Sequence, residues 1–148
     1  MAANESLKGK NYGFDVIDCC SAPGNKTLQL SEQFKNSRIF AFENDPKRFK
    51  TLESRKEKLN DYKNIITKLQ DFLEVDPTDK LYENVKLIVA DPSCSASGTF
   101  NNRLIENLEN VCCLSTAGSD TEMNQTERLK KLAMFQIKII NKAMSFPK

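Results

Sequence analysis

Four short apolar runs are the feature that most constrains the fold of this chain of 148 residues. Each run is rich in β-branched and aromatic residues and ends at an acidic residue or just before a turn-forming stretch. Their apolar residues are not confined to alternate positions, as is typical of strands in a parallel sheet that is covered on both faces. The predicted strands cover residues 14–18, 38–43, 64–69 and 85–91.

Helical patterns separate the strands. Asn25 is placed to cap a helix over residues 25–36, and Asp45 followed by Pro46 is a typical start for a helix over residues 46–60. Strands that alternate with helices in this way indicate a doubly wound α/β fold. The positions expected to face the sheet are Leu28, Leu30 and Phe34 in the first helix, Phe49, Leu52 and Leu59 in the second, and Leu129, Leu132, Ala133, Gln136, Ile140 and Ala143 in a third helix over residues 126–144.

Composition excludes several kinds of chemistry. The chain contains no His, which rules out Ser–His–Asp and Cys–His nucleophiles and His-based metal sites, so acid–base steps fall to other side chains. The chain has 22 Lys and Arg and 20 Asp and Glu, which gives a net charge of +2. This charge is too small to indicate a strongly basic surface of the kind that binds nucleic acid. The five cysteines show no CxxC spacing and the first residues show no signal-peptide core, so we expect reduced thiols, no metal and an intracellular protein.

The turn after the first strand is the first candidate site, because ligands of doubly wound sheets bind beyond the carboxyl ends of the strands. The chain runs from Asp18 through a Pro-Gly turn into a helix start. A glycine such as Gly24, followed by free backbone N–H groups, can cradle a cofactor there. The segment matches neither G-x-G-x-x-G nor the P-loop pattern, and an ordinary strand-to-helix turn is the alternative.

Acidic residues follow the second and third strands. Glu43 is placed to accept the ribose hydroxyls of a nucleoside cofactor, whereas Asp45 is expected to cap the next helix. After the third strand, Asp71 can hydrogen-bond to an adenine and Phe72 can stack on it, although an Asp there is also a common turn residue. The pattern therefore indicates a nucleoside site in which Glu43 is the best-placed acid.

The loop after the fourth strand, residues 91–98, consists of small residues and includes Gly98. Cys94 lies three residues after Asp91, at the carboxyl edge of the predicted sheet, and this position favours a chemical role for its thiol. Cys112 and Cys113 are interpreted instead as small buried apolar residues.

Two of these segments together resemble the Sun-type RNA cytosine-5 methyltransferases, which use S-adenosylmethionine. Residues 18–27 read DCCSAPGNKT and match the family pattern D-x-C-x-A-P-G-x-K-T. Residues 91–98 read DPSCSASG, which is similar to the branch that modifies large-subunit ribosomal RNA. The resemblance implies catalytic roles for Asp91 and Cys94 and a cofactor site formed by Cys20, Ser21, Ala22, Pro23, Gly24, Asn25, Lys26, Glu43, Arg48, Asp71 and Asp91.

The resemblance also implies a Rossmann-like methyltransferase sheet of strand order 3-2-1-4 that is incomplete after strand 4. Residues 1–13 would then be an amino-terminal extension, and residues 14–148 a partial S-adenosylmethionine-binding domain that is truncated at both ends. The expected partners are RNA, in particular ribosomal RNA, and another chain that covers the exposed edge of strand 4, with no membrane. A nuclear or nucleolar location is implied if the protein is eukaryotic.

The family's chemistry explains its residue types. A cysteine thiolate adds to carbon 6 of a cytosine that has been taken out of its stack, and carbon 5 then accepts the methyl group. The attacking cysteine belongs to a later Thr-Cys-Ser motif that these 148 residues do not contain, whereas the cysteine at the position of Cys94 helps to release the product. Two other functions stay open: a methyltransferase for another substrate that needs no cysteine, and a non-catalytic binding or scaffold module.

We expect this chain to bind S-adenosylmethionine without completing methyl transfer, because the motif with the attacking cysteine is missing from it. Incubation with labelled cofactor and ribosomal RNA, followed by quantification of 5-methylcytosine, measures this. Robust formation of 5-methylcytosine would contradict the expectation and would point to Cys94 as the nucleophile.

Overall fold

The protein contains a parallel sheet of four strands in the order β3-β2-β1-β4. The computed structural model describes residues 13–59, 62–94 and 120–147. The strands are β1 (Asp15–Asp18), β2 (Ile39–Glu43), β3 (Ile65–Leu69) and β4 (Val85–Val89), each within one or two residues of its predicted bounds. The predicted α/β fold and the strand order are therefore confirmed.

Three helices accompany the sheet: α1 (Asn25–Gln33), α2 (Pro46–Leu59) and α3 (Asp120–Met144). Asp45 caps α2 as predicted, because its Oδ1 accepts the N–H groups of Lys47 and Arg48 at 2.8 Å. The predicted cap of α1 is wrong. Gly24, in the left-handed conformation, precedes the helix without a side-chain cap, and Asn25 accepts a hydrogen bond from Arg55 instead.

Strands β1 and β2 form the centre of the core, since all nine of their residues are buried. Successive side chains of a strand point to opposite faces, so each strand supplies both faces of the sheet. On one face Val16 and Ala41 pack with Phe34, which directly follows α1, and with Leu52 of α2. This double-sided burial explains why the strands are apolar at consecutive positions.

The opposite face of the sheet is built from aromatic rings. Phe40 meets Tyr82 edge to face with ring centroids 5.1 Å apart, and Phe42 lies 5.7 Å from Phe72. Phe72 in turn stacks on Phe146, also at 5.7 Å. Aromatic pairs at such distances contribute about 0.5–1.5 kcal/mol beyond the area that they bury.

An ion pair closes the amino end of the sheet. Arg38 Nε donates to both carboxylate oxygens of Asp15 at 3.1 Å, and Arg38 Nη2 donates to Asp15 Oδ2 at 2.5 Å. The guanidinium also lies 5.3 Å from the ring centre of Phe40. Asp15 is 4% exposed, so its charge is neutralised where water is scarce.

Two predicted helix faces are wrong in part. In α1 the buried positions are Thr27 and Ser31, whereas Leu28 and Leu30 are only partly buried. The buried hydroxyls are satisfied, because Thr27 donates to Asp18 and Ser31 to Asn64. In the second helix Leu52 is buried as predicted and Phe49 is half-buried, while the side chain of Leu59 lies outside the described residues.

The third helix is rotated from the predicted orientation. Ile139 is 1% exposed, whereas the predicted core residues Leu129 and Ile140 are each 51% exposed. The buried and half-buried positions are Leu132, Phe135, Gln136, Ile139, Lys142 and Ala143, which again recur at three- and four-residue steps.

The chain divides into two compact units, with divisions after Pro92 and after Ile137. The first unit holds the sheet, α1, α2 and the end of α3. Within the described residues the second unit holds Ser93, Cys94 and the earlier part of α3. No helix in the described part of the chain is long and apolar enough to cross a membrane.

Replacing Gly24 with Ala is expected to destabilise the protein by about 1–3 kcal/mol, because a side chain is strained in the left-handed region. Gly24 has φ +104, and a Cβ there would lie 2.9 Å from Cδ1 of the buried Leu52. Urea unfolding measures the loss.

The matched control is Gly13→Ala. Gly13 also has a positive φ, +62, but a Cβ there would meet no atom within 4 Å. The Gly24 variant should therefore lose more stability than the Gly13 variant, and equal losses would show that Leu52 moves aside without cost.

Candidate functional site

The turn after β1 is held against the end of β2. Ser21 donates twice to the carbonyl oxygen of Phe42, from its backbone N–H at 2.9 Å and from its hydroxyl at 2.8 Å. The Gly24 N–H donates back to Ser21 O at 2.7 Å, which closes the turn directly before α1. Arg48 adds a hydrogen bond from its guanidinium to Ala22 O. The turn predicted to hold a cofactor, residues 19–24, is called the cradle below. It is fixed by hydrogen bonds to β2 and to α2.

Asp18 is the buried acid beneath this turn, and sequence reasoning did not select it as a site residue. Its Oδ2 accepts the Thr27 hydroxyl at 2.7 Å, and its Oδ1 accepts the Cys20 N–H at 3.4 Å. Burial raises the pKa of Asp18 above its usual value, although both hydrogen bonds oppose this change. The available signal was an acidic residue directly after the apolar residues Val16 and Ile17 of a predicted strand.

Glu43 occupies the same position at the end of β2. It is 4% exposed, its Oε1 accepts the Asp45 N–H at 2.9 Å, and its Oε2 lies 3.7 Å from Arg48 Nη2. Asp45, not Glu43, accepts the first N–H groups of α2. The predicted cap by Asp45 is thus confirmed, and Glu43 is held at the carboxyl edge of the sheet, while its contact with a ribose stays a prediction.

Lys26 and Asp91 are brought together across the same edge. Lys26 lies in the first turn of α1 and Asp91 lies two residues after β4, and the two side chains form an ion pair. Both side chains are about half exposed, so the pair contributes little to stability, on the order of 0–1 kcal/mol. Its consequence is positional, because it holds a carboxylate near the turn that follows β1.

The segment after β3 fulfils only part of its prediction. Gln70 N–H donates to Glu43 O at 3.0 Å, which brings Asp71 close to the end of β2. Asp71 Oδ1 accepts the Leu73 N–H at 2.9 Å and caps the short 3-10 helix Phe72–Glu74. The predicted stacking of Phe72 on an adenine is wrong, because this ring is 2% exposed and packs in the aromatic core.

The remaining predicted residues are less constrained. Pro23 and Asn25 are exposed. Cys94 is exposed and belongs to the second unit, where Gln136 Nε2 donates to Ser93 O at 3.0 Å. The rest of the loop, residues 95–98, and the cysteines Cys112 and Cys113 lie outside the described residues. The catalytic role of Cys94 stays a prediction.

The first two residues after β1 are both cysteines with free thiols. Cys19 is buried and Cys20 is half-buried at the turn. The Cys19 thiol lies 3.1 Å from Val89 O, to which it is oriented as a donor. Within the described ranges, no group of three or more His, Cys, Asp or Glu side chains could hold a metal ion.

The sequence of the chain identifies its family. Residues 5–107 match the family described as 16S rRNA methyltransferase RsmB/F. The chain belongs to this family. It is similar to the 25S rRNA (cytosine-C(5))-methyltransferase rcm1 of Schizosaccharomyces pombe, with 42% identity over 135 residues that cover 90% of this chain and 27% of that protein. It is also similar to the 25S rRNA (cytosine-C(5))-methyltransferase NSUN5 of Arabidopsis thaliana, with 41% identity over 138 residues that cover 92% and 23% of the two chains.

Solved structures share the fold of this chain. The protein PH0851 superposes with a TM-score of 0.66 at 25% identity, over 92% of this chain and 27% of that chain. NSun6 from Pyrococcus horikoshii, solved with SFG, gives a TM-score of 0.60 at 20% identity, over 88% and 29% of the two chains. The RsmB/F-family chain therefore has the fold of these proteins and spans about a quarter of the length of the curated relatives it matches.

Asp18→Asn is expected to change how stability depends on pH. Because burial raises the pKa of Asp18 in the folded protein, its contribution to stability is complete below the unfolded value of 3.8 and is lost as the pH rises through the raised folded value. The free energy of unfolding of the original protein minus that of the variant should therefore fall as the pH increases. Urea unfolding from roughly pH 3 to pH 7 measures this difference.

Asp76→Asn is the control with the opposite sign. Hydrogen bonds from Thr78, first from its backbone N–H and then from its hydroxyl, lower the pKa of the exposed Asp76. The same difference should rise with pH for this variant. Parallel slopes in the two variants would contradict the electrostatic description of Asp18.

Proposed function

We propose that this chain is the cofactor-binding part of a ribosomal RNA cytosine-C5 methyltransferase that takes its methyl group from S-adenosylmethionine. The observation that carries the proposal is the meeting of the β1 turn, the buried Glu43 and the Lys26–Asp91 pair at one edge of the sheet. Family membership and the names of the relatives supply the reaction and the class of RNA.

The residues at this edge fit the parts of such a cofactor. Glu43 presents a buried carboxylate whose Oε1 already accepts the Asp45 N–H, so the side chain is oriented before any ligand arrives. A carboxylate at the end of the second strand accepts ribose hydroxyls in nucleotide-binding sheets. The first turn of α1 has no side-chain cap, so its backbone N–H groups suit the carboxylate of the amino-acid portion.

Asp91 is proposed to face the RNA base. When bound, S-adenosylmethionine supplies a methyl group on a positively charged sulfur. Lys26 holds the Asp91 carboxylate beside the cradle, where Asp91 can hydrogen-bond to a proton at the edge of a cytosine. Cys94 is proposed to assist release of the product, as the corresponding cysteine does in the family it resembles.

Further polypeptide is proposed to pair with the edge of β4. This strand pairs with β1 alone among the strands that the structure describes, and a groove of about 540 Å³ lies beside it. Ile140 and Met144 line the groove and are 51% and 76% exposed. An uncovered apolar edge is a site for pairing with another segment or chain.

A ribosomal RNA substrate would place the activity in ribosome biogenesis, and thus in the nucleolus of a eukaryotic cell.

Glu43→Gln is expected to weaken the binding of S-adenosylmethionine by roughly tenfold to a hundredfold. A hydrogen bond to a charged group contributes about 1.5–3 kcal/mol, and each 1.4 kcal/mol changes a dissociation constant about tenfold. Isothermal titration calorimetry measures both proteins, and circular dichroism verifies that the variant is folded.

Glu57→Gln is the matched control, since Glu57 is an exposed residue of α2 and the change removes the same charge. This variant should bind like the original chain. Equal loss of cofactor affinity in both variants would show that the loss depends on net charge and not on the position of Glu43. No binding by the original chain at millimolar cofactor would overturn the proposal and favour a non-catalytic module.

A further inference from the structure

Two adjacent thiols lie in the cradle, and the proposed function does not need both. Cys19 and Cys20 follow directly on β1, where the chain turns toward α1. Adjacent residues of an extended strand point to opposite faces, so neighbouring thiols of a strand do not meet. Here the chain leaves the strand at Cys19, and the two thiols are hydrogen-bonded to each other.

Cys19 is the protonated member of the pair. It is 4% exposed, and its S–H donates to the carbonyl oxygen of Val89 at 3.1 Å. The hydrogen bond with Cys20 and burial both raise the pKa of Cys19. Cys19 is therefore a protonated thiol that is shielded from solvent.

Cys20 is the accessible and more acidic member. It is half-buried, and the hydrogen bond from Cys19 and the positive charge of Arg48 lower its pKa, against the opposing effects of burial, Asp18 and Glu43. A thiolate beside a cation is the reactive form of cysteine. The arrangement thus places an accessible sulfur next to a buried one on adjacent residues.

We propose that Cys19 and Cys20 form a vicinal dithiol that a small organic disulfide, of the glutathione type, oxidises reversibly to a Cys19–Cys20 disulfide. The Cys20 thiolate attacks one sulfur of the reagent, forms a mixed disulfide and releases one thiolate. Cys19 passes its proton to that thiolate, and its sulfur then displaces the second thiolate from Cys20. Two protein sulfurs are oxidised, and one disulfide is reduced to two thiols.

Geometry makes this disulfide easy to reduce. Adjacent Cα atoms lie about 3.8 Å apart, whereas relaxed disulfides join Cα atoms separated by about 4.4–6.8 Å. Strained disulfides of this kind have high reduction potentials and are the labile, regulatory ones. An excess of the disulfide reagent would therefore be needed to close the ring, and a small amount of thiol would reopen it.

Ring closure would also deform the cradle. It draws the Cys19 sulfur away from Val89 O and turns the peptide whose N–H group donates to Asp18 Oδ1 at 3.4 Å. The next residue, Ser21, carries the two hydrogen bonds that hold the turn on β2. We expect the oxidised chain to lose cofactor affinity, a consequence that rests on the proposed function.

Peptide mapping tests the proposal on the unmodified chain. The protein is incubated with oxidised glutathione, the remaining thiols are blocked with N-ethylmaleimide, and the protein is cleaved with trypsin. Cleavage after Lys10 and Lys26 releases Cys19 and Cys20 on one peptide that contains no other cysteine. The expected product is this peptide lacking two hydrogens and carrying neither maleimide nor glutathione, and dithiothreitol should restore both thiols.

Single substitutions separate the two roles. In Cys19→Ser the resolving sulfur is gone, so Cys20 should accumulate as a stable glutathione adduct. In Cys20→Ser the buried Cys19 should stay unmodified. A persistent glutathione adduct in the original chain, an unmodified pair, or a disulfide to another cysteine would each overturn the proposal.

Cofactor binding provides a second, independent readout. Calorimetry with S-adenosylmethionine on the oxidised chain should show affinity reduced by about tenfold or more, with recovery after dithiothreitol. Unchanged affinity in a fully oxidised chain would refute the effect on the cradle. If the reduced chain binds no cofactor, the proposed function fails, while the peptide map still decides whether the dithiol closes.

Discussion

The hydrogen bond from Thr27 to the buried carboxylate of Asp18 is the constraint on which the site depends. It joins the last residue of β1 to the first turn of α1 and so fixes both ends of the intervening turn. A carboxylate that is 1% exposed would be costly without such partners. The turn itself is then shaped by backbone contacts, chiefly from Ser21 to Phe42, which need no particular side chain beyond one hydroxyl.

Arg48 links the separate parts of the site. It lies in the first turn of α2, donates to the Ala22 carbonyl in the β1 turn and stands 3.7 Å from Glu43 at the end of β2. Its charge also acts on Cys20. One guanidinium therefore interacts with a backbone carbonyl of the β1 turn, with the acid at the end of β2 and with a nearby thiol.

Sequence patterns were sufficient for the strands and placed Glu43 and Asp91 at the carboxyl edge of the sheet, but they did not select Asp18. Buried parallel strands are mostly apolar and end at the edge of the sheet where ligands bind. Sequence patterns failed where contacts between distant residues determine the backbone conformation or the buried face of a helix. The α1 cap was wrong because Gly24 enters the helix through a left-handed backbone conformation. Phe72 was misassigned because its packing partner, Phe146, is distant in the sequence. Ile139 and Ile140 are chemically identical and differ by about 100° around α3, so composition cannot distinguish them.

Strand β1 carries a carboxylate at each end, and the two are treated differently. Asp15 is met by a bidentate guanidinium, whereas Asp18 receives only a hydroxyl and a backbone amide as hydrogen-bond donors. Asp15 is therefore neutralised by a direct ion pair, whereas Asp18 has no cation in direct contact within the described part of the chain. If a positively charged ligand binds beside Asp18, it stabilises a buried carboxylate that burial disfavours, and ligand binding would then raise the free energy of unfolding.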